Sequence, residues 1–242
     1  MSEVKSAKRV LEILRFFVQE KSPASLARIS SALSFPKSSC LALLETLMAE
    51  GYAYQADGRY YLTSRWLHEA QVVAEHDQLA PRLRPTLERL RQSLGETVIL
   101  AKLAGTRVLY LDVVEADHVL RFSAHVGQGK AVHASASGRA LLSTLPPDEL
   151  AALARTIDYQ AFTAHTLTDP RALMAAVERG RQRGWHVNLS EHQADTVSVA
   201  VPVQLHGVTV ALVVGAPTSR AAERIDDIGQ ALAQAAADIG PG

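Results

Sequence analysis

Apolar and polar positions near the start of the chain repeat with the spacing of short amphipathic helices. The pattern predicts helices over residues 7–18, 25–33 and 37–50, with a sharp break at Ser34-Phe35-Pro36 between the second and the third. Alternating residues around Asp57-Gly58 then predict two short strands joined by a two-residue turn. Helix, sharp turn, helix and hairpin are the layout of a winged helix-turn-helix, which places the second helix of the pair in a DNA groove.

The first and third predicted helices each have an apolar stripe that we expect to face a core. The stripe of the first helix consists of Ala7, Val10, Leu11, Leu14, Phe17 and Val18. The stripe of the third helix consists of Cys40, Leu43, Leu44 and Leu47. On the opposite face of the third helix lie Ser38, Ala42 and Glu45, so we expect that face to be open to a partner.

The rest of the chain mixes helix and strand patterns, which is typical of an α+β domain. One helix is predicted over 64–76 and another from near Asp77 to Leu94, where Pro81 and Pro85 would delay the start or kink the helix. Beyond Gly95 the pattern predicts strands over 97–103, 108–114, 119–125, 197–203 and 208–214, the last two joined at His206-Gly207. It also predicts helices over 135–145, 148–156 and 170–184, and a last helix capped by Thr218 or Ser219.

Charge supports a division of the chain into a DNA-binding part (1–64), a linker helix (65–80) and a second domain (81–242). The chain has 25 Lys and Arg against 25 Asp and Glu, but residues 1–65 carry nine basic and six acidic residues, so the basic part is the one predicted to meet phosphate. Cys40 is the single cysteine, which suits a reducing compartment. There is no signal-like start and no run of about 18 apolar residues, so we expect a cytoplasmic protein without a membrane span.

Three ordered motifs resemble the IclR family of bacterial transcriptional regulators and together span nearly the whole chain. The first is Phe35–Leu47 followed by Glu50-Gly51-Tyr52, and the second is His133–Leu142. The third combines Glu191-His192, Val199–Val203, Gly215–Pro217 and Arg220. The resemblance implies an N-terminal winged helix-turn-helix joined by a linker helix to a GAF-like effector-binding domain with an antiparallel sheet. It also implies a homodimer or tetramer, and repression or activation controlled by a small organic acid. We expect no cofactor and no metal.

We expect double-stranded operator DNA to be contacted by the third helix, the wing and the second helix. The residues assigned to this surface are Lys37, Ser38, Ser39, Leu41, Ala42, Arg28, Arg59 and Tyr60. The lysine and serines would reach phosphate or base edges, Leu41 and Ala42 would reach thymine methyl groups, and the remaining residues would contact the DNA backbone. Family members commonly carry Arg where this chain has Ala42, so a bidentate contact to guanine is not available there. The alternative is that these are ordinary solvated side chains of a small helical domain.

The family resemblance also carries effector contacts over to the second domain. They are Val119, Ala136, Ser137, Asn188, Ser198, Val213 and Gly215, and Lys130 lies close by in sequence and would add charge. The helix that follows Ser135 offers unpaired N–H groups to a carboxylate. Val213 and Gly215 replace hydroxyl residues of some relatives, which favours an aromatic or longer aliphatic acid over a very small oxoacid.

A structural interpretation of the same segment stays open. Ser135–Gly138 would then be only a capped helix start, since such caps are common. Arg139 and Arg220 would be structural partners of acidic residues such as Glu191.

Two other functional classes stay open beside a regulator. A hydrolase-like enzyme would combine Ser135 or Ser137 with His133 and an aspartate, either Asp112 or Asp195, but no Gly-x-Ser-x-Gly turn accompanies them. A metal-responsive sensor would draw on the nine histidines, yet no His-x-x-x-His or Cys-x-x-Cys pair is present. In the regulator, we expect the helix over 64–76 to make the subunit contact, because its apolar side has no local mate.

Overall fold

The computed structural model describes residues 4–76, 79–205 and 207–239. The chain divides into two compact units, Met1–Gln78 and Leu79–Gly242, which we call unit 1 and unit 2. The predicted helix start at Asp77 and the predicted turn residue His206 lie outside the described residues.

Unit 1 is a winged helix-turn-helix, as the sequence predicts. Its elements are α1 (Lys5–Glu20), β1 (Ala24–Ser25), α2 (Leu26–Leu33), α3 (Lys37–Ala49), β2 (Ala53–Ala56), β3 (Arg59–Leu62) and α4 (Arg65–His76). Strand β3 lies between β1 and β2 in an antiparallel sheet. Asp57 and Gly58, which join β2 to β3, both have positive φ angles, and this is why an Asp-Gly pair suits the turn. The two-residue strand β1 was not predicted.

The core of unit 1 differs from the prediction at α1. Ile13, Phe16 and Phe17 are the buried residues of that helix, whereas Leu11 and Val18 are exposed. The predicted stripe was therefore wrong by part of a turn, because it left out Ile13 and Phe16 and included three residues that face solvent, Ala7, Leu11 and Val18. In α3 the prediction is confirmed for three buried residues, and Leu43 is half-buried. These three are Cys40, Leu44 and Leu47.

Unit 2 is an α+β domain built on one six-stranded antiparallel sheet. Its strands are β4 (Thr97–Ala104), β5 (Arg107–Val114), β6 (Gly129–Ala131), β7 (His186–Leu189), β8 (Thr196–Leu205) and β9 (Val208–Pro217), in the order β6-β5-β4-β9-β8-β7. Its helices are α5 (Leu79–Leu94), α6 (Ala136–Leu142), α7 (Pro147–Thr156), α8 (Pro170–Arg183), α9 (Thr218–Ala221) and α10 (Ile225–Ile239), with a 3-10 turn at Ala222–Arg224.

Helices cover both faces of this sheet. Alternate residues of β8 and β9, such as Val199 and Leu212, form one core with α5 and α10. The residues between them, such as Ala200 and Val213, form a second core with α6, α7 and α8. The period-2 alternation of the sequence thus decides which core each side chain enters.

The predicted strand over 119–125 is wrong. The segment is irregular, and side chains bind its carbonyl groups: Thr97 donates its hydroxyl to the carbonyl of Phe122, and Arg220 donates to that of Leu120. With those acceptors already used, the short strand β6 takes the edge position beside β5. Strand β7 was not predicted.

Helix boundaries in unit 2 also correct the sequence analysis. Helix α5 contains both Pro81 and Pro85, so the prolines do not delay its start. Helix α6 is shorter than predicted. Neither Thr218 nor Ser219 caps the last helix, because residue Pro217 precedes α9 without a side-chain cap and α10 begins only at Ile225.

Candidate functional sites

The exposed face of α3 carries the side chains predicted to meet DNA. Lys37, Ser38 and Ala42 are exposed, while Ser39 and Leu41 are half-buried at the flanks. The helix follows Pro36, which has no side chain able to cap it. Its first N–H groups therefore point outward beside Lys37 without a side-chain acceptor, an arrangement that suits phosphate.

The wing presents one of its two predicted residues and hides the other. Arg59 is exposed, and its guanidinium donates to the carbonyl of Pro23 at 3.3 Å. Tyr60 is only 3% exposed and packs in the core of unit 1. The expectation that Tyr60 contacts DNA is therefore wrong, because the alternation along β3 turns its ring inward when Arg59 faces out.

Two arginines near α3 are held by neighbours within unit 1. Arg28 donates to both carboxylate oxygens of Glu20, at 3.2 and 3.0 Å, and the resulting ion pair keeps it at the surface of α2. Arg9 lies over the ring of Phe35, 5.0 Å from its centroid, and therefore beside the turn that precedes α3.

Helix α4 is tied to the hairpin by a cluster that the sequence analysis missed. The indole of Trp66 donates to the carbonyl of Tyr52 at 3.0 Å, and the two rings are 4.5 Å apart. The hydroxyl of Tyr52 donates to Glu69, which also accepts from Arg65. Helix α4 is thus bonded directly to Tyr52, which precedes strand β2 of the wing. The sequence feature that could have predicted this cluster is the pair of aromatic residues, Tyr52 and Trp66, on either side of the hairpin.

The outer side of α4 is apolar and uncovered in the described part of unit 1. Leu67 is 62% exposed and Val73 is 68% exposed, and no residue of the helix is buried. The prediction that the apolar side of this helix has no local mate thus holds for Leu67 and Val73, but Trp66 of the same side packs on Tyr52.

Unit 2 contains a cavity lined by residues of strands β5, β6, β7 and β8 and of the neighbouring loops, which we call the Lys130 cavity. Its volume is about 20 Å³, room for about one water molecule, so a larger ligand requires the walls to move apart. Its walls are Tyr110, Phe122, Lys130, Ala134, Ser135, Asn188, His192, Gln193, Thr196 and Ser198. Three of the eight residues predicted to bind an effector line it, namely Lys130, Asn188 and Ser198.

Among the described residues, Lys130 is the one lysine or arginine on the walls of this cavity. Its side chain is half-buried, and burial lowers the pKa of its ammonium group below the ordinary value. No carboxylate of the described residues forms an ion pair with it, and no acceptor forms a hydrogen bond with it. A partly desolvated cation without a counter-charge is unusual in a folded protein, since buried charges are normally paired.

The cavity has an apolar side formed by aromatic rings. Tyr110 is 4% exposed, and burial raises the pKa of its hydroxyl. Phe122 rests on Gly215, where a Cβ atom would lie 2.7 Å from the ring. Gly215 therefore matters because it leaves room for Phe122, and the nearby Val213 packs in the same core. These contacts place both predicted residues behind the wall rather than on it.

Three more of the predicted residues lie off the cavity wall. Ala136 and Ser137 are buried at the start of α6, behind Ala134 and Ser135. Val119 is fully exposed on the irregular segment, so its assignment as an apolar wall is wrong: that segment is not a strand, and only Phe122 reaches the cavity.

Asn188 and a buried ion pair hold this region in place. The amide of Asn188 donates to the carbonyl of Ala134 and accepts from the N–H of Glu191. Arg139, 3% exposed, pairs with the carboxylate of Glu191, which confirms the structural interpretation of that arginine. Arg220 pairs instead with Glu96, which is almost completely buried.

Several wall residues were missed by the sequence analysis as ligand contacts. They are Tyr110, Phe122, His192, Gln193 and Thr196. Burial, with Lys130 and His133 nearby, lowers the pKa of His192 to about 4, so its ring is neutral at pH 7. Among these wall residues, only Thr196 could have been predicted from the sequence, because Thr196 and Ser198 are the polar residues that alternate with the buried valines of β8.

The enzyme and metal hypotheses gain no support from the described residues. His133 donates to the carbonyl of Gln160 rather than to a serine, and the hydroxyl of Ser135 caps α6. Across residues 4–76, 79–205 and 207–239, no group of three or more His, Cys, Asp or Glu side chains is placed to hold a metal ion. In the same ranges, no helix is both long and apolar enough to pass through a lipid bilayer.

The two units match two models of one protein family. Residues 6–57 match the IclR helix-turn-helix domain, and residues 71–240 match the model described as bacterial transcriptional regulator IclR C-terminal. The chain belongs to the IclR family. Its membership confirms the prediction made from the three motifs, and it identifies unit 1 as the DNA-binding part and unit 2 as the effector-binding part of an IclR-type transcriptional regulator.

Individual IclR relatives agree over most of their length. The probable transcriptional regulator SauR of Cupriavidus necator is 33% identical over 82% of this chain and 79% of that protein. The structure of the Thermotoga maritima IclR superposes with a TM-score of 0.79 over 98% of both chains, at 23% identity. An IclR homolog from Microbacterium hydrocarbonoxydans, complexed with 4-hydroxybenzoate, superposes with a TM-score of 0.73 at 25% identity, over 97% of this chain and 99% of that one.

Proposed function

We propose that this IclR regulator binds operator DNA through α3 and the wing, and that a small organic acid bound in the Lys130 cavity controls that binding. The protein acts in the cytoplasm as a homodimer or a tetramer. The observation that carries the ligand assignment is the half-buried ammonium of Lys130, which faces a cavity and has no counter-charge among the described residues.

The DNA assignment rests on the exposed start of α3 and on the charges around it. Lys37 and the uncapped N–H groups would contact phosphate, and Ser38 would reach a phosphate or a base edge. Ala42 and the flanking Leu41 offer apolar contact to thymine methyl groups. Arg59 on the wing and Arg28 on α2 would add contacts to the DNA backbone, the latter only by leaving or sharing Glu20.

The acid is proposed to be aromatic. Its carboxylate would pair with Lys130, which removes the cost of leaving that charge half-buried and alone. The rings of Tyr110 and Phe122 offer an apolar wall for the body of the molecule, while Asn188, Ser198 and Thr196 are polar groups able to orient it. The relative complexed with 4-hydroxybenzoate supports this chemistry, since that molecule is an aromatic carboxylic acid.

Control of DNA binding requires that the DNA-binding units (unit 1) of two subunits move together. The uncovered apolar side of α4, with Leu67 and Val73, is the surface proposed for the subunit contact. Because Trp66 and Glu69 join α4 to Tyr52, a change at that contact shifts the position of the wing. An acid that binds one arrangement of the two DNA-binding units more tightly than the other changes operator affinity by that difference in binding free energy.

A thermal-shift screen followed by calorimetry tests the acid assignment. The full-length protein is titrated with 4-hydroxybenzoate, benzoate and aliphatic acids of similar length, because a ligand that binds only the folded state raises the melting temperature. We expect Lys130→Met to lower the affinity for the tightest-binding acid by at least about tenfold. The matched control Lys102→Met, at an exposed lysine of the same unit, should leave that affinity unchanged. Equal affinity in Lys130→Met and the parent protein would refute the carboxylate assignment.

A further inference from the structure

Unit 2 contains a second cavity that shares His192 with the Lys130 cavity but otherwise has different walls. We call it the Arg107 cavity. Its volume is about 250 Å³. Its walls are Thr106, Arg107, Gly129, Ala131, His133, Ile157, Asp158, Gln160, Phe162 and His192. None of the residues assigned to DNA or to the acid lines it.

Two exposed side chains of opposite charge, Arg107 and Asp158, lie on these walls without an ionic partner among the described residues. Arg107 forms one long hydrogen bond, from its guanidinium to the carbonyl of Gly129 at 3.3 Å. Gly129 permits this position, because a Cβ atom there would lie 2.8 Å from the guanidinium. Asp158 is exposed at the same cavity. Within the described residues neither side chain is in an ion pair, so they do not neutralise each other across the cavity.

The remaining walls are partly aromatic. His133 is 1% exposed, and its Nε2 atom donates to the carbonyl of Gln160. No hydrogen-bond partner among the described residues reaches its Nδ1 atom. The ring lies 5.9 Å from Phe162, whose own ring is 36% exposed at the cavity. His192 is neutral at pH 7, as described above.

We propose that the Arg107 cavity is a second ligand site, specific for a small zwitterion of the α-amino acid type. The carboxylate of the ligand pairs with Arg107, its ammonium group pairs with Asp158, and its side chain packs on Phe162. A ligand with both charges satisfies both wall charges at once, whereas a simple anion leaves Asp158 beside it as a repulsive charge. The Lys130 cavity disfavours such a ligand, because Lys130 repels an ammonium group.

Binding of L-phenylalanine and its two singly charged analogues tests the proposal. Saturation-transfer NMR and calorimetry on the full-length protein compare L-phenylalanine with 3-phenylpropionate, which lacks the ammonium group, and with 2-phenylethylamine, which lacks the carboxylate. We expect L-phenylalanine to bind at least about tenfold more tightly than either analogue. Arg107→Gln and Asp158→Asn should each weaken it by a similar factor, and unchanged melting temperatures would show that both variants fold.

Lys130→Met separates this site from the acid site. We expect this variant to keep L-phenylalanine binding, even if it loses the acid, so failure of one assignment does not decide the other. The proposal is overturned if L-phenylalanine does not bind. It is also overturned if 3-phenylpropionate binds equally well, which indicates a plain anion site, or if Lys130→Met removes the amino acid, which places it in the Lys130 cavity.

Discussion

The two units use charge in opposite ways. In unit 1 the proposed contacts are neighbours in sequence, and Lys37 and Ser38 stand in solvent at the start of one helix. In unit 2 the cavity is assembled from residues as distant as Tyr110 and Ser198, and its lysine is half-buried. A solvated lysine gains little from any one phosphate, whereas a desolvated lysine gains much from one carboxylate. Many weak contacts therefore suit DNA, and a few strong ones suit a small acid.

The largest expected effect comes from breaking the buried ion pair of unit 2. Arg139→Met leaves the Glu191 carboxylate buried without its partner, and we expect the free energy of unfolding of unit 2 to fall by roughly 3–5 kcal/mol. Hydrogen-exchange mass spectrometry should show faster exchange in α6 and β7 and unchanged exchange in α2 and α3. The double variant Arg139→Met/Glu191→Leu should recover part of the loss, because no unpaired charge remains. Equal exchange in parent and single variant would show that the pair does not stabilise unit 2.

Low pH should destabilise the two units to different extents. Burial lowers the pKa of His186 to about 4, with Arg139 and other arginines adding to the shift, and His192 is lowered to about 4 as well. Between pH 6.5 and 4 the unfolded chain binds protons that folded unit 2 does not, so stability present at pH 7 is lost as pH falls through this window. For His186 the loss is on the order of 3 kcal/mol.

Each unit has its own tryptophan, so the effect of low pH on the stability of each unit can be measured separately. Trp66→Phe leaves Trp185 as the reporter of unit 2, and Trp185→Phe leaves Trp66 as the reporter of unit 1. Urea denaturation followed by fluorescence should show unit 2 losing stability more steeply between pH 6.5 and 4, since the described histidines of unit 1, His68 and His76, are exposed. Parallel losses in both units would contradict the role given to the buried histidines.

A smaller change is expected when one DNA contact is removed. Lys37→Ala should weaken operator binding by roughly three- to tenfold at moderate salt and should reduce the slope of log affinity against log salt by about 1. Lys102→Ala, at an exposed lysine of unit 2, is the matched control and should change neither quantity. Fluorescence anisotropy at several salt concentrations measures both. An unchanged salt slope in Lys37→Ala would remove Lys37 from the interface.

The smallest effect concerns the link between α4 and the wing. Trp66→Phe removes the hydrogen bond to the Tyr52 carbonyl, and we expect a loss of about 1 kcal/mol in the stability of unit 1. Amides of β2 should exchange faster in this variant. Tyr54→Phe removes an exposed hydroxyl from the same hairpin and should have no such effect. Equal exchange in both variants would mean that α4 is not anchored through Trp66.

The contrast between the units also explains what the sequence predicts well. Unit 1 depends on short-range signals, such as Ser25 capping α2 and Asp57-Gly58 turning the hairpin, so its elements were predicted with nearly correct bounds. The family motifs predicted the effector domain as a whole. In unit 2 the alternation of Val197–Val203 predicted a strand, because each face of the sheet is covered by a different set of helices.

Local patterns fail where distant residues decide the structure. The strand predicted over 119–125 is replaced by loop because Thr97 and Arg220, far away in sequence, bind its carbonyl groups. Tyr60 was assigned to the DNA surface together with Arg59 because both lie on the wing, but their side chains point to opposite faces of β3 and the Tyr60 ring packs in the core of unit 1. The aromatic walls of the Lys130 cavity belong to strands and loops that no short motif connects.

The most direct test of the account measures operator affinity with and without the acid. Fluorescence anisotropy is recorded on DNA from upstream of the protein's own gene, using the carboxylic acid that stabilises the parent protein most. We predict that this acid changes the Kd of the parent protein by at least about tenfold, and that Lys130→Met binds DNA equally well without acid but no longer responds to it. An undiminished response of Lys130→Met, or a parent protein whose DNA affinity ignores the bound acid, would contradict the account.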